Sequence, residues 1–248
     1  MPVELTPATA TPEPEAPVVE ELTVRVVRKT PHAGDAFTQG LLWHEGVLYE
    51  STGRYGASSV RRVRLEDGRV LAERDLEDRF FGEGLARVDD RLVQLTWRSG
   101  VAVISDLQTL QMRDTLLYTG EGWGLCHVGD ELVMSDGSSF LEFRDPVTFE
   151  SLREMTVWNG NRAVRNLNEL ECVGDEIYAN VWQSDEIVRV DAKTGRVTAV
   201  IDASGLLSRE EARRADVLNG SAYKPETNSL LLTGKLWPLV FEVERVPR

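Results

Sequence analysis

Four polar side chains stand out because glycines and hydrophobic residues hem them in. Glu83 sits in Phe81-Gly82-Glu83-Gly84-Leu85 and Lys235 in Thr233-Gly234-Lys235-Leu236-Trp237. Asn168 lies in Leu167-Asn168-Glu169-Leu170 and Gln39 in Thr38-Gln39-Gly40-Leu41. A partly buried glutamate can be tuned into a general acid or base. The two carboxamides offer donors and acceptors suited to a neutral amide ligand. A lysine among apolar neighbours is a candidate partner for the carboxylate. Each has an ordinary alternative: a rim glutamate in water, carboxamides that close their own turns, and a solvated surface lysine. Tryptophans sharpen the choice. Trp97 and Trp182 end equivalent strands and Trp123 begins another, while Trp43, Trp158 and Trp237 lie elsewhere. Any one of them reads first as core packing. Three at matching strand ends read better as an aromatic cage around a small polar substrate.

These residues need a scaffold that brings distant segments together, and the sequence contains one. A segment recurs five times, at Phe37, Phe81, Gly120, Asn166 and Val217, with Gly40, Gly84, Gly124, Glu169 and Gly220 in register. The spacing of roughly 40–50 residues, filled by short alternating strands, is that of a β-propeller with one blade per repeat. Gln39, Glu83, Trp123, Asn168 and Asn219 occupy the variable head position, so five blades can point five different side chains at one axis. The flanking glycines are expected to let backbone and ligand come close. The fifth copy supplies only three strands before the chain stops. The alternating segment Leu22–Arg28 is available to complete it, with Thr23 to Val27 beside the strand around Val240 to Val243, which would remove an exposed sheet edge. The expectation is an all-β, five-bladed β-propeller closed by the N-terminal strand: one domain over 22–248, preceded by a disordered tether over 1–21. Five of the ten prolines and five glutamates fall in that leader, with no basic residue.

Composition narrows the function. Net charge is −13 and no basic stretch is dense enough to grip phosphates, which argues against nucleic acid. No apolar run approaches the ~20 residues of a membrane span. The leader lacks the basic and apolar regions of a signal peptide, leaving a cytosolic protein or one whose targeting segment is absent from the sequence. Three scattered histidines, His32, His44 and His127, show no zinc spacing. Register places Cys126 and Cys172 on opposite faces of their strands, so a disulfide between them is not expected.

The strings FTQGL, FGEGL, LTW, EGWGL, LNELE, ANVW and LTGK, in this order, resemble the plant and bacterial type of glutaminyl-peptide cyclotransferase (glutaminyl cyclase). The similarity runs from about Phe37 to Trp237. It implies a five-bladed propeller that converts the N-terminal glutamine of peptides or proteins into pyroglutamate and releases ammonia. It implicates Glu83, Asn168 and Lys235 in catalysis and Gln39, Trp97, Trp123 and Trp182 in substrate binding. Glu169, on the outward-facing alternate, is expected to be structural. The resemblance further implies a periplasmic or secreted enzyme, and a monomer is expected. Cyclisation needs no metal or organic cofactor, because the substrate's own α-amine attacks its γ-carboxamide carbon. The protein must hold the folded conformer, stabilise the oxyanion and move one proton. Glu83 is expected to be that shuttle, with Lys235 orienting it and Gln39 and Asn168 holding the carboxamide. Two other readings compete: a propeller that binds peptide ends without turnover, and a metal-dependent hydrolase using Glu83, Asp136, Asn168 and Asn219 as oxygen ligands.

Overall fold

The computed structural model describes residues 18–248, and the chain is all-β. Residues 1–17 of the expected tether lie outside the described residues. Strand β1 spans Glu20–Pro31, so it begins before the expected boundary at Leu22. Three four-stranded antiparallel sheets follow. The first holds β2 (Thr38–His44), β3 (Val47–Thr52), β4 (Ser59–Arg64) and β5 (Arg69–Asp75). The second holds β6 (Gly82–Val88), β7 (Arg91–Thr96), β8 (Val101–Asp106) and β9 (Met112–Leu117). The third holds β10 (Leu125–Val128), β11 (Glu131–Ser135), β12 (Phe140–Arg144) and β13 (Ser151–Thr156). A short hairpin of β14 (Trp158–Asn159) and β15 (Arg162–Ala163) leads to the last two repeats.

Those repeats are β16 (Leu167–Val173), β17 (Glu176–Val181), β18 (Glu186–Asp191) and β19 (Val197–Asp202), then β20 (Leu218–Lys224), β21 (Ser229–Gly234) and β22 (Leu239–Pro247). Strand β1 joins them into one eight-stranded sheet, pairing parallel to β19 and antiparallel to β22. Its register on β22 differs from the sequence expectation: Thr23 faces Val246, and Val240 faces Thr30. The strand runs on to Pro31 through an irregularity between Val26 and Arg28, so its latter half meets the residues assigned to its first half.

Alternation explains the packing. The middle strands of each sheet are apolar on both faces, as in Leu92-Val93 of β7 and Leu132-Val133 of β11, all fully buried. Outer strands β5, β9 and β13 are mostly exposed. Each apolar cluster therefore lies between two successive sheets. Tyr49 and Val60 of the first meet Leu85 and Leu92 of the second, and Val133 and Phe143 of the third meet Ile177 and Val188 of the next. Each such side chain contributes about 1.5–3 kcal/mol on burial.

Face-to-face packing also overturns one expectation. Cys126 on β10 and Cys172 on β16 form a disulfide with Cα atoms 5.5 Å apart. Both contribute to the apolar cluster between these two sheets. The two thiols do lie on opposite alternates of their strands. Adjacent sheets stack like pages, however, so the facing surfaces of two neighbours are opposite alternates. The parity taken to separate the thiols brings them together.

Candidate active site

The strands that open the five repeats are neighbours: β2 lies against β6 and β20, β10 against β6 and β16, and β16 against β20. In an antiparallel hairpin the start of the first strand sits beside the end of the second. Residues at those two places therefore share one rim. Phe37 and Gln39, Phe81 and Glu83, Trp97, Trp123, Asn168, Trp182 and Lys235 all come from such places, and they line a single cavity of about 240 Å³. All seven residues singled out in the sequence are among them. Phe37 and Phe81, the residues that begin the first two repeats, complete the lining.

Bulges aim the polar heads. Strand register slips between Thr38 and Gly40, between Gly82 and Leu85, between Leu167 and Leu170, and between Leu218 and Ser221. The slips free Gln39, Glu83, Asn168 and Asn219 from the regular alternation, a common device for re-aiming side chains beside a site. The head glycines serve a different purpose from the one expected. A Cβ on Gly84 would lie 2.5 Å from Leu125 N, and one on Gly124 2.0 Å from Asn168 O. They let neighbouring backbones approach each other, not a ligand.

Glu83 is 5% exposed, and its Oε1 accepts a hydrogen bond from Gln39 Nε2 at 3.0 Å. Asn219 does not reach the cavity. It stands behind Gln39, donating to Gln39 Oε1 at 3.0 Å and to Thr38 O at 3.0 Å. That contact turns the Gln39 amide group toward Glu83, so Gln39 is engaged with the carboxylate. The Glu83 main chain is anchored by Ser51 Oγ, which donates to its carbonyl. Burial holds the Glu83 pKa well above the usual carboxylate range; Lys235 opposes the rise and Glu121 adds to it. Lys235 is 7% exposed, burial lowers its pKa, and its Nζ lies 5.0 Å from the centre of the Phe37 ring. Asn168 is buried and its Oδ1 has no hydrogen-bond partner.

The aromatic walls are ordered by one another and by a residue the sequence reading missed. Trp123 meets Trp182 edge-on at 5.5 Å, and Phe81 meets Trp97 at 5.6 Å. Glu121 Oε2 accepts from Trp97 Nε1 at 2.7 Å and from Trp123 Nε1 at 3.0 Å. Its other oxygen accepts from Arg98 at 2.9 Å, and that guanidinium stacks 3.8 Å from the Trp97 ring centre. Glu121 lies two residues before Trp123 in Glu121-Gly122-Trp123, a proximity that was the available signal.

Other residues separate from the site. Trp237 is buried against Phe241 and donates to Asp216 O at 2.9 Å, Trp43 donates to Glu226, and Trp158 is exposed. Glu169 faces inward, contrary to expectation. It is 1% exposed, with Oε1 accepting from Leu41 N at 3.3 Å and Oε2 from Ser221 N at 2.9 Å and Ser221 Oγ at 2.8 Å. Burial pushes its pKa up to about 8. The oxygen ligands of the hydrolase reading do not converge: Asp136 caps Ser138 N in a turn, and Asn219 stands behind Gln39, outside the cavity that Glu83 and Asn168 line. Among the described residues, no group of three or more His, Cys, Asp or Glu side chains is arranged to hold a metal ion.

Comparison with known proteins shows which family the chain belongs to. The family model described as glutamine cyclotransferase matches residues 1–245. A glutaminyl-peptide cyclotransferase of Arabidopsis thaliana is 41% identical over 226 residues, covering 89% of this chain and 71% of the relative. The crystal structure of a Myxococcus xanthus glutaminyl cyclase superposes with a TM-score of 0.85 at 38% identity, over 93% of this chain and all of that one. With likeness extending over nearly its whole length, the chain belongs to the glutamine cyclotransferase family.

Proposed function

We propose that this chain cyclises the N-terminal glutamine of peptides and proteins to pyroglutamate, releasing ammonia, and that it does so on a five-bladed propeller. The circular adjacency of β2, β6, β10, β16 and β20 supports the propeller, and the pairing of β1 with β22 supports closure by the N-terminal strand. One observation carries the activity. A buried carboxylate of raised pKa shares a cavity of about 240 Å³ with three indoles and an unpartnered carboxamide oxygen. That volume lies below the ~300–1,000 Å³ typical of drug-sized ligands and suits a single amino-acid residue.

In the proposed reaction the indoles of Trp97, Trp123 and Trp182 hold the glutamine side chain folded back on its own amine and exclude water. Asn168 Oδ1 accepts an N–H of the substrate. The neutral α-amine attacks the γ-carboxamide carbon; its pKa of about 7.7–8.0 in model peptides leaves a useful neutral fraction near neutrality. Glu83 takes the proton the amine sheds and returns it to the departing nitrogen. The carbon–nitrogen bond then breaks, ammonia leaves and the lactam carbonyl re-forms. A carboxyl whose pKa is raised toward the working pH serves both halves of that transfer. Gln39, fixed by Asn219, orients the carboxylate. Lys235 supplies the nearby positive charge, and Glu121 holds two walls of the cage.

The reaction as proposed uses no metal. The disulfide between Cys126 and Cys172 supports a periplasmic or secreted location, since such bonds persist in oxidising compartments. The test is incubation with a glutamine-initiated peptide, following ammonia release and the matching loss of mass, with and without a chelator. Equal turnover in both arms is expected. Binding of the peptide without ammonia would favour the non-catalytic propeller, and activity lost to the chelator and restored by one metal would favour the hydrolase reading.

A further inference from the structure

One lip of the cavity is built by the turn after β3. Gly53 N donates to Phe37 O at 2.8 Å. A Cβ on Gly53 would come within 2.3 Å of the Phe81 ring, so the turn lies directly against the Phe37 main chain and the Phe81 ring, two residues that line the cavity. The next residue, Arg54, is exposed and has φ of 115°, a conformation costly for any residue with a side chain. It is held there from behind, its carbonyl accepting from Ser58 Oγ at 2.7 Å and Ala57 N at 3.0 Å. The strained backbone places the Arg54 guanidinium 4.8 Å from the centre of the Phe37 ring.

Charge sets Arg54 apart from its neighbours. Arg61, Arg79 and Arg98 are paired with Glu73, Glu77 and Glu121 at 2.7, 2.8 and 2.9 Å, whereas Arg54 has no such partner among the described residues. Lys235, the other cation on Phe37, is buried and faces Glu83 and Asp216. Arg54 is thus an uncompensated cation in water at the mouth.

We propose that Arg54 reads the substrate beyond its N-terminal glutamine and selects peptides carrying a carboxylate there. The inference rests on the cyclase reading. The cavity has room for one residue, so the chain must leave it through the mouth, and the following residue meets the lip. A net charge of −13 repels acidic peptides at long range. With a screening length of about 8 Å at physiological salt, the charge in direct contact governs the bound state.

The experiment compares kcat/KM for Gln-Ala-Ala-amide, Gln-Glu-Ala-amide, Gln-Lys-Ala-amide and the free acid Gln-Ala, in the wild type and in Arg54→Gly and Arg54→Gln. Glycine adopts a positive φ without strain, so the first variant keeps its fold; the second keeps the strain and loses the charge. In the wild type the glutamate peptide should exceed the alanine peptide by about two- to fivefold, the range of an exposed ion pair, and the lysine peptide should fall below it. In both variants, and at high salt, the ratios should approach one. A free-acid advantage lost in the same variants would identify the chain terminus as a second source of the carboxylate. Equal wild-type rates, or a preference that survives in Arg54→Gly, overturn the proposal. If neutral peptides turn over without any charge preference, only this inference falls. If no glutamine peptide is cyclised, the cyclase reading falls and takes this one with it.

Discussion

Glu83 and Glu169 occupy the same kind of bulge on equivalent strands and are both almost completely buried. Burial raises the pKa of each. They differ in what surrounds the carboxylate. Glu169 is enclosed and accepts three hydrogen bonds that tie β16 to β2 and β20. Glu83 accepts one, from Gln39, and opens onto a cavity opposite Lys235. In repeat register Glu83 matches Asn168, and Glu169 matches Gly84. A displacement of one residue moves a glutamate from the cavity into the wall between strands. A satisfied buried carboxylate is a strut; an under-satisfied one facing space is placed for proton transfer.

The largest effect is expected where the comparison can be broken outright. Glu83→Gln keeps the shape and removes the titrating proton, so kcat should fall by about 10²–10⁴ while a glutamine peptide still binds and the thermal midpoint does not fall. A variant turning over at near the wild-type rate would place the shuttle elsewhere, with Lys235 the next candidate.

Glu169→Gln should do the reverse, sparing turnover and changing stability against pH. The folded pKa of about 8 lies above the ordinary 4.5, so the folded state binds the extra proton. Stability from this group is fully present below about pH 4.5 and is lost as pH rises through about 8. At about 1.4 kcal/mol per pKa unit the whole window is worth roughly 5 kcal/mol. Denaturant melts across this range should be markedly flatter in the variant. An unchanged slope would mean that Glu169 is ionised in the folded state.

The disulfide sharpens the same contrast, because it joins β10, next to Trp123, to β16, which carries Asn168 and Glu169. Closing a loop of 46 residues is worth about 4 kcal/mol in the chain-entropy account. Cys126→Ser with Cys172→Ser should lower the unfolding midpoint by a corresponding amount and leave KM nearly unchanged at temperatures where the fold persists. A large rise in KM would show that the staple also sets the geometry of the cage.

The smallest effect concerns Glu121. Glu121→Gln keeps an oxygen for the indole N–H groups and removes a negative charge that helps hold the Glu83 pKa up. The rising limb of kcat against pH, which follows ionisation of the base, should therefore move to lower pH, with a loss in kcat/KM of only a few-fold. A limb that stayed in place would confine Glu121 to holding the rings.

The sequence by itself carried seven of the nine residues that line the cavity, all but Phe37 and Phe81, and the strand plan around them. Both are periodic: a side chain at the same point of each repeat must arrive at the same rim wherever the repeats lie side by side. Local alternation and turn residues sufficed for that. Three things were decided only by tertiary structure, because each depends on what faces what across sheets. The bulges at Gln39, Glu83, Asn168 and Asn219 override the simple alternation, which is why Glu169 points inward and its carboxylate is filled by donors from β2 and β20. The stacking of sheets makes opposite alternates neighbours, which unites Cys126 with Cys172. And the carboxylate that orders the cage, Glu121, joins Trp97 to Trp123 across two repeats, a contact that the spacing within a single repeat does not display.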